Sequence, residues 1–214
     1  MDETKWNSRL ALACSFNPKK SEIVLPDSSN CSFVPMEAVG VDHSFAPRTG
    51  KTIDSLKKGY TYFRDNDVLI AKITPCYENG KSAIASGCEN GIGFGTTEFH
   101  VFRPIEGKSN STWLLYLLTA HSLHEEGSKN MTGSAGQKRV PISFYEDLSI
   151  NLPPISEQQR FAGIVNEIDK LRFIHYRLHL SNKFGDYFVE KRSIIHDKRR
   201  NFYRRSKMSV VFDE

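Results

Sequence analysis

Leu148-Ser149-Ile150-Asn151-Leu152-Pro153-Pro154-Ile155-Ser156-Glu157-Gln158-Gln159 divides the chain into two textures. Leu148, Ile150 and Leu152 alternate with the period of a strand, and two prolines close it, because proline lacks a backbone donor and locks φ. Ser156 to Gln159 then has the form of a capping box, with Ser at the N-cap and Gln at N3. Phe161, Ile164, Val165, Ile168 and Leu171 follow at spacings of three and four, and His175 and Leu178 keep the register. A second stripe runs through Phe184, Tyr187, Phe188, Ile194 and Ile195. From residue 155 to 214 there is no proline and there are two glycines, Gly163 and Gly185. The pattern predicts one long helix from Ser156 to about Arg205, with a bend near Gly185.

About 50 helical residues at 1.5 Å each extend roughly 75 Å, whereas a 150-residue domain is roughly 40 Å across. Such a helix overhangs its own domain. The stripe carrying Phe161, Ile164, Ile168, Leu171, Leu178 and Phe188 is therefore predicted to meet a partner helix as a coiled coil, in another chain or a second copy of this one. The alternative is a hairpin that folds back at Gly185. Charge divides at the same place. Residues 170–207 carry twelve basic and three acidic side chains, a net of +9, against −5 for the rest of the chain.

The first 150 or so residues predict a mixed α/β (α+β) body rich in short strands. Phe33 to Val39, Asp67 to Ile73, Ser82 to Ala85 and Phe94 to Phe102 are the strand candidates, separated by turn-forming residues such as Arg64-Asp65-Asn66. One internal helix is predicted from an N-cap at Ser111 to a stop at Gly127, with Trp113, Leu114, Leu117, Leu118 and Leu123 on one face. The domain division that follows is 1–154 for the body, 155–207 for the helix and 208–214 for a tail.

Composition excludes several classes. Apolar residues make up 39% and charged residues 25%, the balance of a folded domain with its own core. The longest apolar cluster, Trp113 to Leu118, is far short of the ~18 residues of a membrane span, and Met1 to Leu12 has no secretory apolar segment. The four cysteines, Cys14, Cys31, Cys76 and Cys88, have no C-x-x-C spacing. Reduced thiols in a cytoplasm are expected.

Catalytic patterns are weak. Gly91-Ile92-Gly93-Phe94-Gly95 precedes a strand, not the helix that a dinucleotide fingerprint needs. His121/His124 and His175/His179 have helical spacing but no completing ligand. Thr74-Pro75-Cys76-Tyr77 and Leu152-Pro153-Pro154-Ile155 lack the Asn/Asp-Pro-Pro-aromatic run of amino-methylating enzymes. A small magnesium-dependent nuclease would use Asp67, Glu78 and Lys81, but the lysine falls three residues after the acid where two is usual. No cofactor and no metal site is predicted.

Three segments carry a resemblance. They are Asp67-Val68-Leu69-Ile70-Ala71-Lys72-Ile73-Thr74-Pro75 with Glu78-Asn79-Gly80-Lys81, the glycine-rich turn Gly133 to Val140, and the strand-then-cap Leu148 to Gln158. Over about Cys31 to Ile195 the chain resembles the specificity subunit of type I restriction-modification systems, or half of one. The resemblance implies a target recognition domain up to about residue 154, which reads one half of a bipartite site in double-stranded DNA. It implies a long spacer helix that packs on a partner helix and docks modification (methyltransferase) subunits and, through them, restriction subunits. It also implies no catalysis by the chain itself. A full family member has two recognition domains and two such helices. This sequence has one of each, so a natural half-subunit or a first-half fragment is expected, self-associating through its helix.

The residues suit that role. Base edges are read by Asn, Gln, Arg, Lys, Ser and Thr on protruding loops. One loop offers Lys72, Thr74, Tyr77, Asn79 and Lys81, a second Ser134, Gln137, Lys138 and Arg139, and a third Arg48 and Lys51 around Gly50. The basic tail is expected to add sequence-blind, salt-dependent affinity.

Overall fold

The computed structural model describes residues 7–134 and 136–180. In chain order its elements are β1 (Asn7–Arg9), β2 (Cys14–Phe16), β3 (Asn30–Val34), β4 (Arg48–Thr52), α1 (Ile53–Lys57), β5 (Thr61–Arg64), β6 (Val68–Ala71), β7 (Ser82–Ile84), β8 (Ile92–Gly95), β9 (Phe99–Pro104), α2 (Ser111–Leu118), α3 (His121–Lys129), α4 (Ile142–Glu146), β10 (Ser149–Asn151) and α5 (Ile155–Leu180). The mixed α/β body expected from the sequence is present.

Two four-stranded sheets form the centre, one antiparallel in the order β2-β9-β6-β7 and one mixed in the order β4-β3-β8-β5, with β3 and β8 parallel. Period-two burial explains how they stack. On β6, Leu69 and Ala71 join Phe63, Val34, Phe99 and Val101 between the sheets, while Val68 and Ile70 face Trp113, Leu114 and Tyr145 on the other side. Both faces of β6 are thus covered, and its sequence is correspondingly apolar throughout. The mixed sheet turns its far face, with Cys31, Tyr62 and Phe94, against Ile53 and Leu56 of α1.

Several expected boundaries move, for identifiable reasons. The strand expected over Phe94 to Phe102 is two strands in different sheets, β8 and β9, parted at Thr96-Thr97-Glu98. Gly93 and Gly95 are strand residues. A Cβ on Gly93 would lie 2.1 Å from the Phe63 ring, so glycine clears the path of a buried aromatic. The internal helix is two helices broken after Thr119 and capped by Asn110, not Ser111; the Asn110 side chain accepts from the Thr112 and Trp113 amides. Gly127 lies inside α3, where a Cβ would lie 2.0 Å from the Tyr77 hydroxyl.

β1 pairs antiparallel with β10, which brings the N-terminal strand beside the residues that launch α5. The helix starts at Ile155, one residue before the expected Ser156 cap, and the Pro154 carbonyl accepts from Glu157 and Gln158. Gln158 is fully buried. Its amide nitrogen donates to the carbonyls of Pro153 (2.8 Å) and Lys108 (2.9 Å), and its oxygen accepts from the Asn110 amide (2.9 Å). The helix is thereby bolted to the cap of α2. Phe161 continues the junction with its ring 5.5 Å from that of Tyr116, and Ala162 and Val165 are buried with it. Farther along, Ile168 is half-buried and Leu171 is 53% exposed. The expected course from residue 181 to Arg205, the bend at Gly185, Phe188 and the basic tail beyond residue 180 lie outside the described residues.

Candidate nucleic-acid interface

Two of the three polar loops lie side by side. Backbone pairing joins them: the Thr74 amide donates to the Lys138 carbonyl and the Val140 amide to the Lys72 carbonyl, each at 2.9 Å, and Ile73 bridges Arg139. Within the second loop Thr132 and Arg139 exchange amide-to-carbonyl bonds at 2.9 and 2.8 Å, so the glycine-rich segment between them is closed at its base. Ser134, Gln137 and Lys138 are exposed on its tip, as is Asn79 on the tip of the first loop.

An acid organises the junction. Glu98, in the turn between β8 and β9, accepts from Arg139 Nε at 2.9 Å and Nη2 at 2.8 Å, and its carbonyl accepts from the Lys72 amide at 2.9 Å. The Arg139 hydrogen bonds hold the Glu98 carboxyl below its ordinary pKa. Burial pulls the Lys72 ammonium below its ordinary value, against the attraction of Glu98. Sequence reasoning missed Glu98. Its meaning depends on the β6–β9 register, which brings Lys72 and Glu98 to the same end of one strand pair.

The third loop reaches the other two indirectly. Lys81 Nζ donates to the Met36 carbonyl at 3.0 Å, and the neighbouring Glu37 pairs with Arg48 at 2.7 Å. Arg48 and Lys81 thus flank one short turn, Met36–Ala38. The expected loop around Gly50 is the strand β4, an exposed edge strand that carries Arg48 and Lys51.

Some sequence-chosen residues have structural duties instead. Tyr77 is 1% exposed; its ring stacks on His124 at 4.6 Å, its hydroxyl donates to the His124 carbonyl, and burial pushes its pKa up to about 12. It anchors the loop on α3 and is not open to a base. Thr74 is half-buried with Oγ1 toward Met131 Sδ. Phe161 belongs to its own domain's core, so it is not available to a partner helix; Ile164 and Ile168 are half-buried, Leu171 is exposed, and the Leu178 side chain lies outside the described residues.

The nuclease reading fails on geometry. Asp67 is 1% exposed and binds Arg103 in a bidentate pair at 2.8 and 2.7 Å, while also accepting from the Arg64 amide. Glu78 lies past the opposite end of β6 in an exposed turn, and Lys81 is held by Met36. Among the described residues no group of three or more His, Cys, Asp or Glu side chains is placed to hold a metal, and no helix is long and apolar enough to cross a membrane. His121 pairs with Glu125, and His124 Nε2 faces the Tyr77 carbonyl.

Comparisons with known proteins agree with this architecture. The chain is 44% identical over 178 residues to the type I restriction enzyme EcoAI specificity subunit of Escherichia coli, covering 79% of this chain and 29% of that one. It is 43% identical over 160 residues to the EcoEI specificity subunit of the same organism, covering 74% and 27%. The chain thus spans under a third of the length of these curated relatives, which are named for specificity and not for catalysis. The HsdS subunit from Thermoanaerobacter tengcongensis shares the fold at a TM-score of 0.59 and 18% identity, over 82% of this chain and 44% of that one. A chain from a structural study of complex assembly and conformational transition in a type I R-M system matches at 0.55 and 19%, over 96% and 47%. A family model described as the type I restriction modification DNA specificity domain matches residues 43–179. The chain belongs to that family of DNA specificity domains.

Proposed function

We propose that this chain reads one half of a bipartite site in double-stranded DNA and directs partner methyltransferase subunits, and through them restriction subunits, to it. The chain contributes recognition and no bond-making step; a partner enzyme flips and methylates adenine. The observation that carries this reading is the fusion of the 72–81 and 130–140 loops into one polar edge, stiff at its base and exposed at Asn79, Ser134, Gln137 and Lys138. Side chains of these types on a fixed base suit major-groove readout, and Arg48, Lys51 and Lys81 suit phosphates nearby. Residues 1–154 form the reading head. Residues 155–207 form the spacer that carries it, with Ile168 and Leu171, and Leu178 and Phe188 beyond them, offered to a partner helix or a second copy. A restriction-modification complex acts on DNA inside the cell, and a cytoplasmic location is proposed with that role.

The test is reconstitution. The full chain, co-expressed with a type I modification subunit, is offered a pool of random duplexes with a methyl donor. Methylation at a defined sequence that appears only when this chain is present supports the reading. Methylation at the same sites without the chain contradicts it.

A further inference from the structure

We propose that Glu98 is a positioning residue for DNA recognition, holding Arg139 as a rigid fork aimed at two adjacent acceptor atoms on the nucleic acid. The inference deepens the recognition role proposed above and rests on it. An arginine has five N–H donors. In Arg139, Nε and one N–H of Nη2 go to the Glu98 carboxylate, and one N–H of Nη1 goes to the Gln137 carbonyl at 3.1 Å. One N–H on each terminal nitrogen is left over. The Arg139 side chain is 40% exposed and that of Glu98 24%, so the pair is partly open to solvent.

The backbone that carries the carboxylate is itself fixed from two directions. The Glu98 amide donates to Thr96 Oγ1 at 3.3 Å, and its carbonyl accepts from Lys72 at the end of β6. An acid at a DNA-reading edge ordinarily repels phosphate. Here its charge is consumed by Arg139, with Lys72 adjacent. What the pair gains is direction, because a pre-oriented fork loses little rotamer freedom when it meets its target. Paired acceptors of the right spacing occur on guanine, at O6 and N7, and on phosphate.

The experiment uses the reconstituted complex on a duplex pool, comparing wild type with Glu98→Gln, Arg139→Gln, the double variant and Arg139→Lys. Glu98→Gln is expected to lower cognate methylation about tenfold or more, Arg139→Gln by a similar factor, and the double variant by no more than either alone. Arg139→Lys keeps the charge but not the fork, and is expected to fall with Arg139→Gln. Loss of one specified base pair from the selected site assigns the fork to guanine, and a uniform loss assigns it to phosphate; both support the proposal. Unchanged or faster cognate methylation by Glu98→Gln overturns it, since that is how a simple repulsive charge behaves. Full activity of Arg139→Lys overturns it too, and decides the matter even if Glu98→Gln does not fold. A wild-type complex that selects no sequence contradicts the recognition role itself, a result separate from these.

Discussion

Two bidentate arginine–carboxylate pairs sit at opposite ends of the β6–β9 strand pair, and the same chemistry does different work at each. At one end Asp67, just before β6, grips Arg103 near the close of β9; the side chains are 1% and 8% exposed, and Arg103 also reaches Glu22 and lies over the Tyr62 ring. At the other end Glu98, just before β9, grips Arg139 from a loop 41 residues later, at 24% and 40% exposure. The first pair is consumed by the protein. The second is partly open to solvent and keeps two Arg139 N–H groups uncommitted. A buried ion pair whose members satisfy each other organises a fold, whereas a half-exposed one holds a charged group ready for a ligand.

The largest expected effect comes from breaking the closed end. Asp67→Ala leaves Arg103 charged and buried, which should cost about 3–5 kcal/mol in urea unfolding. The methylated sequence selected by whatever protein folds should not change. A shift in selected sequence would mean that this end also touches DNA.

A second effect concerns His100, on β9 between the two ends. Its Nε2 donates to the Val140 carbonyl at 2.8 Å, beside Arg139, and burial pushes its pKa down to about 4. The unfolded chain takes up this proton near pH 6.5 and the folded chain only near 4, so stability should fall as pH drops through that window, by on the order of 3 kcal/mol. His100→Gln should flatten the slope between pH 6.5 and 4 in pH-dependent unfolding. An unchanged slope would remove His100 from the account.

Next in size is Gly93→Ala, which drives a methyl group into the Phe63 ring between the sheets and should cost about 1–3 kcal/mol in thermal or urea unfolding. Asn110→Ala removes the cap of α2 and should cost about 1 kcal/mol. The smallest stability effects belong to the open end. Asn79→Ala and Gln137→Ala should each stay within about 0.5 kcal/mol of wild type, because both side chains are exposed. Each should nonetheless weaken or relax selective methylation. Losses of stability as large as those at Asp67 would dissolve the contrast between the ends.

How much of this was legible depends on where the signal lies. β6 and the start of α5 were readable because burial writes itself as apolar runs and as helical spacing after a proline stop. β4 was not, since Arg48-Thr49-Gly50-Lys51-Thr52 is an exposed edge with no apolar pattern to betray it. Gly93 gave no strand signal of its own, because its value, like that of Gly95, lies in the rings beside it, Phe63 from another strand and Phe99. The loops at 72–81 and 130–139 were recognisable by composition, but their fusion was not, nor was the withdrawal of Tyr77 under α3. Glu98 carried no local signal; only the strand register and a loop 41 residues away give it a partner. Phe161 had the right spacing for a partner helix, yet Tyr116 claims it first.

The central claim is that the Glu98–Arg139 end of the strand pair meets DNA and the Asp67–Arg103 end does not. Photo-crosslinking tests it most directly. A benzophenone side chain is placed at the exposed positions Asn79 or Gln137 at one end, and at Arg64 or Asn66 at the other, in the full chain assembled with its modification subunit on cognate duplex. The account predicts crosslinks to DNA from positions 79 and 137 and none from 64 and 66. Crosslinks from 64 or 66 with none from 79 and 137 would contradict it.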